Sequence, residues 1–121
     1  MEKTIIIIPS RLKAKRFPNK PLAKINGLPM IVHVMNRAKE SKVGEVLVAT
    51  PDQEILKTVR EYNGQAVLTK LDHISGTDRI YEAYLKKYKV ESNKDLIINL
   101  QGDMPNIDPN AISQLEKLMR E

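Results

Sequence analysis

The sequence holds no cysteine and no tryptophan, and only one phenylalanine and four tyrosines among its 121 residues. Without thiols, disulfides and thiolate metal sites are excluded, which suits a reducing compartment and makes the cytoplasm the expected location. Long apolar runs are missing too. No uninterrupted aliphatic run is longer than that of Ile5 to Ile8, against the roughly 20 residues of a membrane-spanning helix and the ~7–15 of a signal-peptide core. The chain is therefore expected to be neither embedded nor exported. Acidic residues are scarce at one end only: residues 1–24 carry seven Lys and Arg against one Glu, whereas the rest carry 13 positive and 14 negative side chains. A duplex-binding surface would spread its cations over helices, and a single-strand binder would interleave them with stacking aromatics. Neither pattern is present, so nucleic acid is not an expected partner.

What is present is the patterning of one folded domain, with 41% apolar and 29% charged residues. Thr4 to Ile8, Val46 to Ala49, Ala66 to Leu68 and Leu96 to Leu100 are short runs of the kind buried on both faces of a parallel sheet. Between and after them, apolar residues recur at helical spacing: Ile31, Val34, Met35 and Ala38; Ile55, Leu56 and Val59; Ile80, Ala83 and Tyr84; Ile112, Leu115, Leu118 and Met119. Thr50-Pro51-Asp52-Gln53 predicts a helix start with Thr50 as cap, and Asp108-Pro109 predicts another. Asn63-Gly64 predicts a stop. Alternating strands and helices with right-handed crossovers imply an α/β fold, a three-layer αβα sandwich on a mostly parallel Rossmann-like sheet with the first strand central. Ligands in such sheets bind beyond the carboxyl ends of the strands, so the loops after Ile8, Leu68 and Leu100 are the candidates.

The first loop, Pro9 to Pro21, gathers Arg11, Lys13, Lys15, Arg16 and Lys20 over that crevice. Two readings of it stand: a solvated basic loop, or a site for a polyanion such as a triphosphate, whose charge relieves the mutual repulsion of the cations. It is not a glycine-rich phosphate cradle, because GxxxxGKS/T is absent. In the second loop, DHISGTDRI, Ser75, Gly76 and Thr77 put small groups and free amides at a helix start, where donors meet a base edge or a phosphate. Ser75 with Asp78 also reads as a plain cap, and Arg79 can reach a nucleotide or pair with Asp78 or Glu82. His73 has no second histidine near it in sequence, His33 falling on a predicted helix, so no metal site or catalytic dyad is read from it. The third loop, NLQGDMP, carries Asp103, a carboxylate suited to Mg²⁺ together with substrate phosphates, or alternatively a turn former before proline.

These three segments resemble known signatures. PSRLKAKRFPNKPL followed by INGLPMIVHV is similar to the amino-terminal pattern of sugar nucleotidyltransferases, specifically the cytidylyltransferases that activate acidic sugars. DHISGTDR and NLQGDMP resemble the HxSGTDR and NxQGDxP segments of the 3-deoxy-manno-octulosonate (KDO) cytidylyltransferases. The resemblance implies that Arg11, Arg16 and Lys20 hold the triphosphate of CTP and stabilise departing pyrophosphate, and that Ser75, Gly76, Thr77 and Arg79 seat the nucleotide. Gln101 would line the nucleotide and sugar site, Asp103 would bind Mg²⁺, and His73 would border the nucleotide. Two departures stand out: Ala14 replaces a small hydroxyl residue, and Met104 occupies a position that is often Glu.

The reaction so implied is attack of the anomeric hydroxyl of KDO on the α-phosphorus of CTP, giving CMP-KDO and pyrophosphate for lipopolysaccharide biosynthesis, with no covalent enzyme intermediate. The resemblance runs through this whole sequence but covers only about the first half of a family member. In that homodimeric family the second half supplies most of the sugar pocket, much of the dimer contact and another metal-binding Asp. Because the chain stops inside a predicted helix, the expectation is a truncated or split product, residues 1–121 forming the nucleotide-binding half with an open sheet edge and unburied apolar surface. The alternatives are a module that binds CTP or another polyanion without turnover, and a cytidylyltransferase for another acidic sugar such as an acylneuraminate.

Overall fold

The structure, a computed structural model, describes residues 4–12, 20–70, 76–87, 96–100 and 108–120. Its centre is β1 (Thr4–Pro9), whose four isoleucines are all 0% exposed. Stiff β-branched side chains suit an extended backbone, and the two-residue period sends them alternately to opposite faces. Ile6 and Ile8 enter one apolar cluster, Ile5 and Ile7 another. The run of identical residues thus supplies the middle of both cores.

Around β1 the remaining strands are β4 (Glu45–Thr50), β5 (Gln65–Leu68) and β6 (Leu96–Asn99), all parallel, in the order β5-β4-β1-β6. Helices α1 (Met30–Ser41), α2 (Gln53–Glu61) and α4 (Pro109–Arg120) pack against the face of Ile6 and Ile8. On the opposite face lies α3 (Gly76–Lys87), with Ile80, Ala83 and Tyr84 against Ile5 and Ile7. That arrangement is the αβα sandwich expected from the sequence, with its first strand central. From β1 the chain steps outward to β4 and β5, then doubles back to the far side of β1 through α3. The strand order therefore reverses between β1 and β6, where a ligand crevice belongs.

The ends of the elements are set by local chemistry, partly as predicted. Asp108 caps α4, its Oδ1 accepting the Asn110 N–H at 2.9 Å. Asn63, at φ 64°, ends α2 in the left-handed region, and the Gly64 N–H returns to the Val59 carbonyl at 2.9 Å. At the start of α2 the expectation needs correcting: the helix begins at Gln53 with Asp52 in the cap position, while Thr50 is the last residue of β4. Pro51 is therefore a linker residue and not the first of the helix.

Of two further features, only the first was not anticipated. Residues 24–29 form a small antiparallel hairpin, β2 (Lys24–Ile25) with β3 (Leu28–Pro29), turning on Asn26 and Gly27 at φ 51° and 85°. Positive φ at both central residues is the Asn-Gly hairpin turn, so the signal was present in the sequence. His33 on α1 bonds the Ile25 carbonyl and ties the hairpin to the helix, which gives this histidine a structural use. The second feature concerns α4. Unburied apolar surface is expected from the sequence, and of the apolar residues at helical spacing here Ile112 is buried while Leu115, Leu118 and Met119 are 44%, 69% and 48% exposed. Among the described residues β6 pairs only with β1. On α3, Tyr81 and Leu85 are also turned outward.

Candidate nucleotide site at the carboxyl rim of the sheet

Parallel strands leave the sheet on one side, and short backbone bonds continue the ladder past their ends. The Ser10 N–H donates to the Ala49 carbonyl at 2.9 Å, Thr69 N–H to Thr50 carbonyl at 2.8 Å, and Leu100 N–H to Ile7 carbonyl at 3.2 Å. The segments after β1, β5 and β6, which carry the three sequence motifs, thus all start from one rim. Each begins from a strand whose position is fixed by its neighbours, so the first residue of each loop inherits the rigidity of the sheet.

The part of the rim beside β5 is held by one face of α3. Arg79 is 3% exposed; its Nε donates to Thr69 Oγ1 and its Nη2 to the Lys70 carbonyl, each at 3.2 Å. One turn on, Glu82 accepts the Lys70 N–H at 3.0 Å and pairs with Lys86 at 2.8 Å, and the Lys86 ammonium also donates to the Leu68 carbonyl at 2.9 Å. Of the two roles open to Arg79 from sequence, then, a surface pairing is set aside in favour of a buried guanidinium. Burial pushes its pKa down from the ordinary arginine value, as does the neighbouring charge of Arg11, while Asp52 and Glu82 act in the opposite direction. Desolvation disfavours the charged form, and the two acids offset part of that cost.

Arg11 itself is exposed, in the segment just after β1. Its positive charge is one of the influences that hold the Arg79 pKa down. The next residue, Leu12, donates its N–H to Asp52 Oδ2 at 2.8 Å, a tie across the ends of β1 and β4 that sequence reasoning missed. Just before Arg11, Ser10 is 7% exposed and its hydroxyl has no hydrogen-bond partner among the described residues. Thr69 was missed as well; its hydroxyl is one of the groups that hold Arg79. No local pattern announces either contact, because each joins residues distant along the chain.

Lys20 opens a 3₁₀ turn, Lys20–Leu22, and Gly76 and Thr77 are the first residues of α3. Arg16, His73, Ser75, Gln101 and Asp103, together with Ala14 and Met104, lie outside the described residues. Among those described, no group of three or more His, Asp or Glu is placed to hold a metal ion, and no helix is long and apolar enough to cross a membrane.

This geometry can be set beside known proteins. The 3-deoxy-manno-octulosonate cytidylyltransferase of Brucella ovis is 50% identical over 110 residues, 91% of this chain and 43% of the relative. That of Nitrobacter winogradskyi is 46% identical over 113 residues, 93% of this chain and 44% of the relative. Among solved structures, CMP:2-keto-3-deoxy-manno-octonic acid synthetase complexed with CTP is 42% identical and matches with a TM-score of 0.89, over 98% of this chain and 48% of that one. The chain thus spans under half the length of these relatives, corresponding to their amino-terminal part. The family model described as cytidylyltransferase matches residues 5–121, and the chain belongs to that family.

Proposed function

We propose that this chain is the CTP-binding portion of an enzyme that transfers CMP from CTP to KDO and releases pyrophosphate, a biosynthetic step in the cytoplasm. The observation that carries the reading is that the three motif-bearing segments start from one carboxyl rim of the sheet, which also holds a buried arginine beside β5. The choice of KDO over other acidic sugars is supported by the DHISGTDR segment and by the names of the relatives.

In this reading the chain's own residues work by position and charge. Arg11, with Arg16 and Lys20, would clasp the triphosphate and offset the charge that develops on departing pyrophosphate. Arg79, with Ser75, Gly76 and Thr77, would seat the nucleotide, and Gln101 would border the sugar. Asp103 follows Leu100 by three residues in the chain, and a carboxylate so close to the end of β6 fits a hard cation shared with phosphate oxygens. Mg²⁺ held there would supply charge neutralisation at the transferring phosphoryl group.

The remaining length of the relatives would cover the exposed apolar face of α4, with sugar pocket and dimer contacts belonging to that remainder. Coexpression with a separately encoded second half from a relative tests the reading. Pyrophosphate release from CTP plus KDO is expected only when both pieces are present. No release at any ratio, with both pieces folded, overturns it.

A second reading is a module that binds CTP and turns nothing over, which the basic segment after β1 and the buried Arg79 would serve equally well. Calorimetry of the chain alone with CTP and Mg²⁺ addresses it: binding without turnover is expected, and absence of binding by the folded chain rejects it.

A further inference from the structure

Asp52 occupies the cap position of α2 with extended backbone, φ −104° and ψ 122°, and has the side chain that usually caps a helix. It nevertheless makes no side-chain cap bond to α2. Its Oδ2 instead accepts the Leu12 N–H at 2.8 Å, 40 residues away in sequence, while its own N–H donates to Thr50 Oγ1 at 3.1 Å. Thr50 is 0% exposed and ends a central strand. A line of hydrogen bonds therefore runs from the buried end of β4, through Asp52, to the backbone of the basic loop one residue past Arg11.

An acid beside an anion site repels the anion it should receive, so its presence there calls for a compensating use. The use on view is anchoring. A loop that must be ordered when its ligand arrives costs binding free energy, and one ordered in advance does not. The loop after β1 carries several like charges that push one another apart, and so it stands to gain more than most from a fixed backbone point.

We propose that Asp52 is a positioning residue for the nucleotide: its carboxylate fixes the loop after β1 through the Leu12 amide, so that Arg11 is presented to the phosphates before they bind. The inference rests on the CTP-binding reading and deepens it. Asp52 contacts no phosphate in this scheme, and its own charge is a cost that the anchor outweighs.

Two variants of the full chain separate this from a merely structural role. Asp52→Ala removes the acceptor, whereas Asp52→Asn keeps an oxygen for the Leu12 N–H and removes the charge. Calorimetry with CTP and Mg²⁺ is expected to show Asp52→Ala binding about tenfold more weakly than the unaltered chain, the scale of one charge-assisted hydrogen bond. Asp52→Asn should stay within about threefold of it. Amide exchange at Leu12 should quicken in Asp52→Ala and stay slow in Asp52→Asn, with the exchange of β1 and β4 amides unchanged in both.

If the unaltered chain binds CTP and Asp52→Ala binds it equally well, the anchor is wrong and the site reading stands. Should Asp52→Asn lose as much affinity as Asp52→Ala, the charge and not the hydrogen bond is what counts, and the anchor is again wrong. A chain that binds no CTP while Leu12 exchange responds as described overturns the site reading and, with it, the presentation of Arg11 to phosphates.

Discussion

Helices α3 and α4 are fastened in different ways. At the β5 margin, α3 reaches over the strand's end with Arg79, Glu82 and Lys86, which bond Thr69, Lys70 and Leu68 by side-chain-to-backbone and hydroxyl contacts. Around α4 the bonds run instead to β1 and α1. Thr4 bonds Glu116 and Ser113 bonds the Ser41 carbonyl, which fasten the inner side of α4, while its outer side shows Leu115, Leu118 and Met119 to solvent. Directional bonds hold a few atoms in place and are complete within the chain. Apolar area gains free energy only when something covers it, and both helices leave some in water, Tyr81 and Leu85 on α3 and the longer set on α4. An apolar patch such as that on α4 is a common sign of an interaction surface.

The comparison can be pressed with substitutions in descending order of effect. Ile8→Ala opens a cavity in the shared core, where the side chain is 0% exposed, and should cost about 2–5 kcal/mol in denaturant unfolding. If it costs less than Leu118→Gln, the division into a finished interior and an uncovered helix face collapses.

Next comes Arg79→Ala, which leaves the Thr69 hydroxyl and the Lys70 carbonyl without their donor. A loss of roughly 2–3 kcal/mol is expected from unmaking charge-assisted bonds at a buried site. The loss measured by chemical denaturation should fall largely on the β5 margin, seen as faster amide exchange at Thr69 and Lys70.

Asp108→Ala removes the cap of α4 and should cost about 1 kcal/mol. This variant sharpens the contrast, because it tests whether α4 is held by its inner contacts alone. Last, Leu118→Gln changes a side chain that is 69% exposed and should alter the stability of the chain by no more than about 0.5 kcal/mol. The same variant should weaken association with a second half from a relative, read by sedimentation of the mixed pieces. A large loss in the chain alone would mean that the face is already covered.

Much of the fold was legible because it rests on short-range pattern. The isoleucine run, the helical spacings, the Asp108 cap and the Asn63-Gly64 stop each act within a few residues, and each lies where the sequence places it. The hairpin at residues 24–29 was missed although Asn26-Gly27 announces it, since strands of two residues carry almost no hydrophobic alternation. The start of α2 was misread for a different reason: Thr50, Pro51 and Asp52 all carry start signals, and the choice among them followed from β4 extending through Thr50.

In the site the division is sharper. Chain order and motif spelling pointed to Arg11 and Arg79, but whether Arg79 lay at the surface or in the interior was decided by Thr69 and by the carbonyl of Lys70, set beside it only when α3 packs on the sheet. Asp52 looked like one more helix-start residue, and its bond to Leu12 exists only because parallel pairing brings the ends of β1 and β4 side by side.

By itself, then, the sequence determined which segments are strands and helices, that the first strand is buried on both faces, and that positive charge collects just beyond it. Those are consequences of side-chain size, branching and charge read over a few neighbouring residues. Tertiary structure alone decided which of the polar groups meet, which arginine is taken out of water, and which apolar face of α4 is left uncovered. A hydrogen bond or a buried surface needs two partners at contact distance, and distance between remote residues is a property of the folded chain.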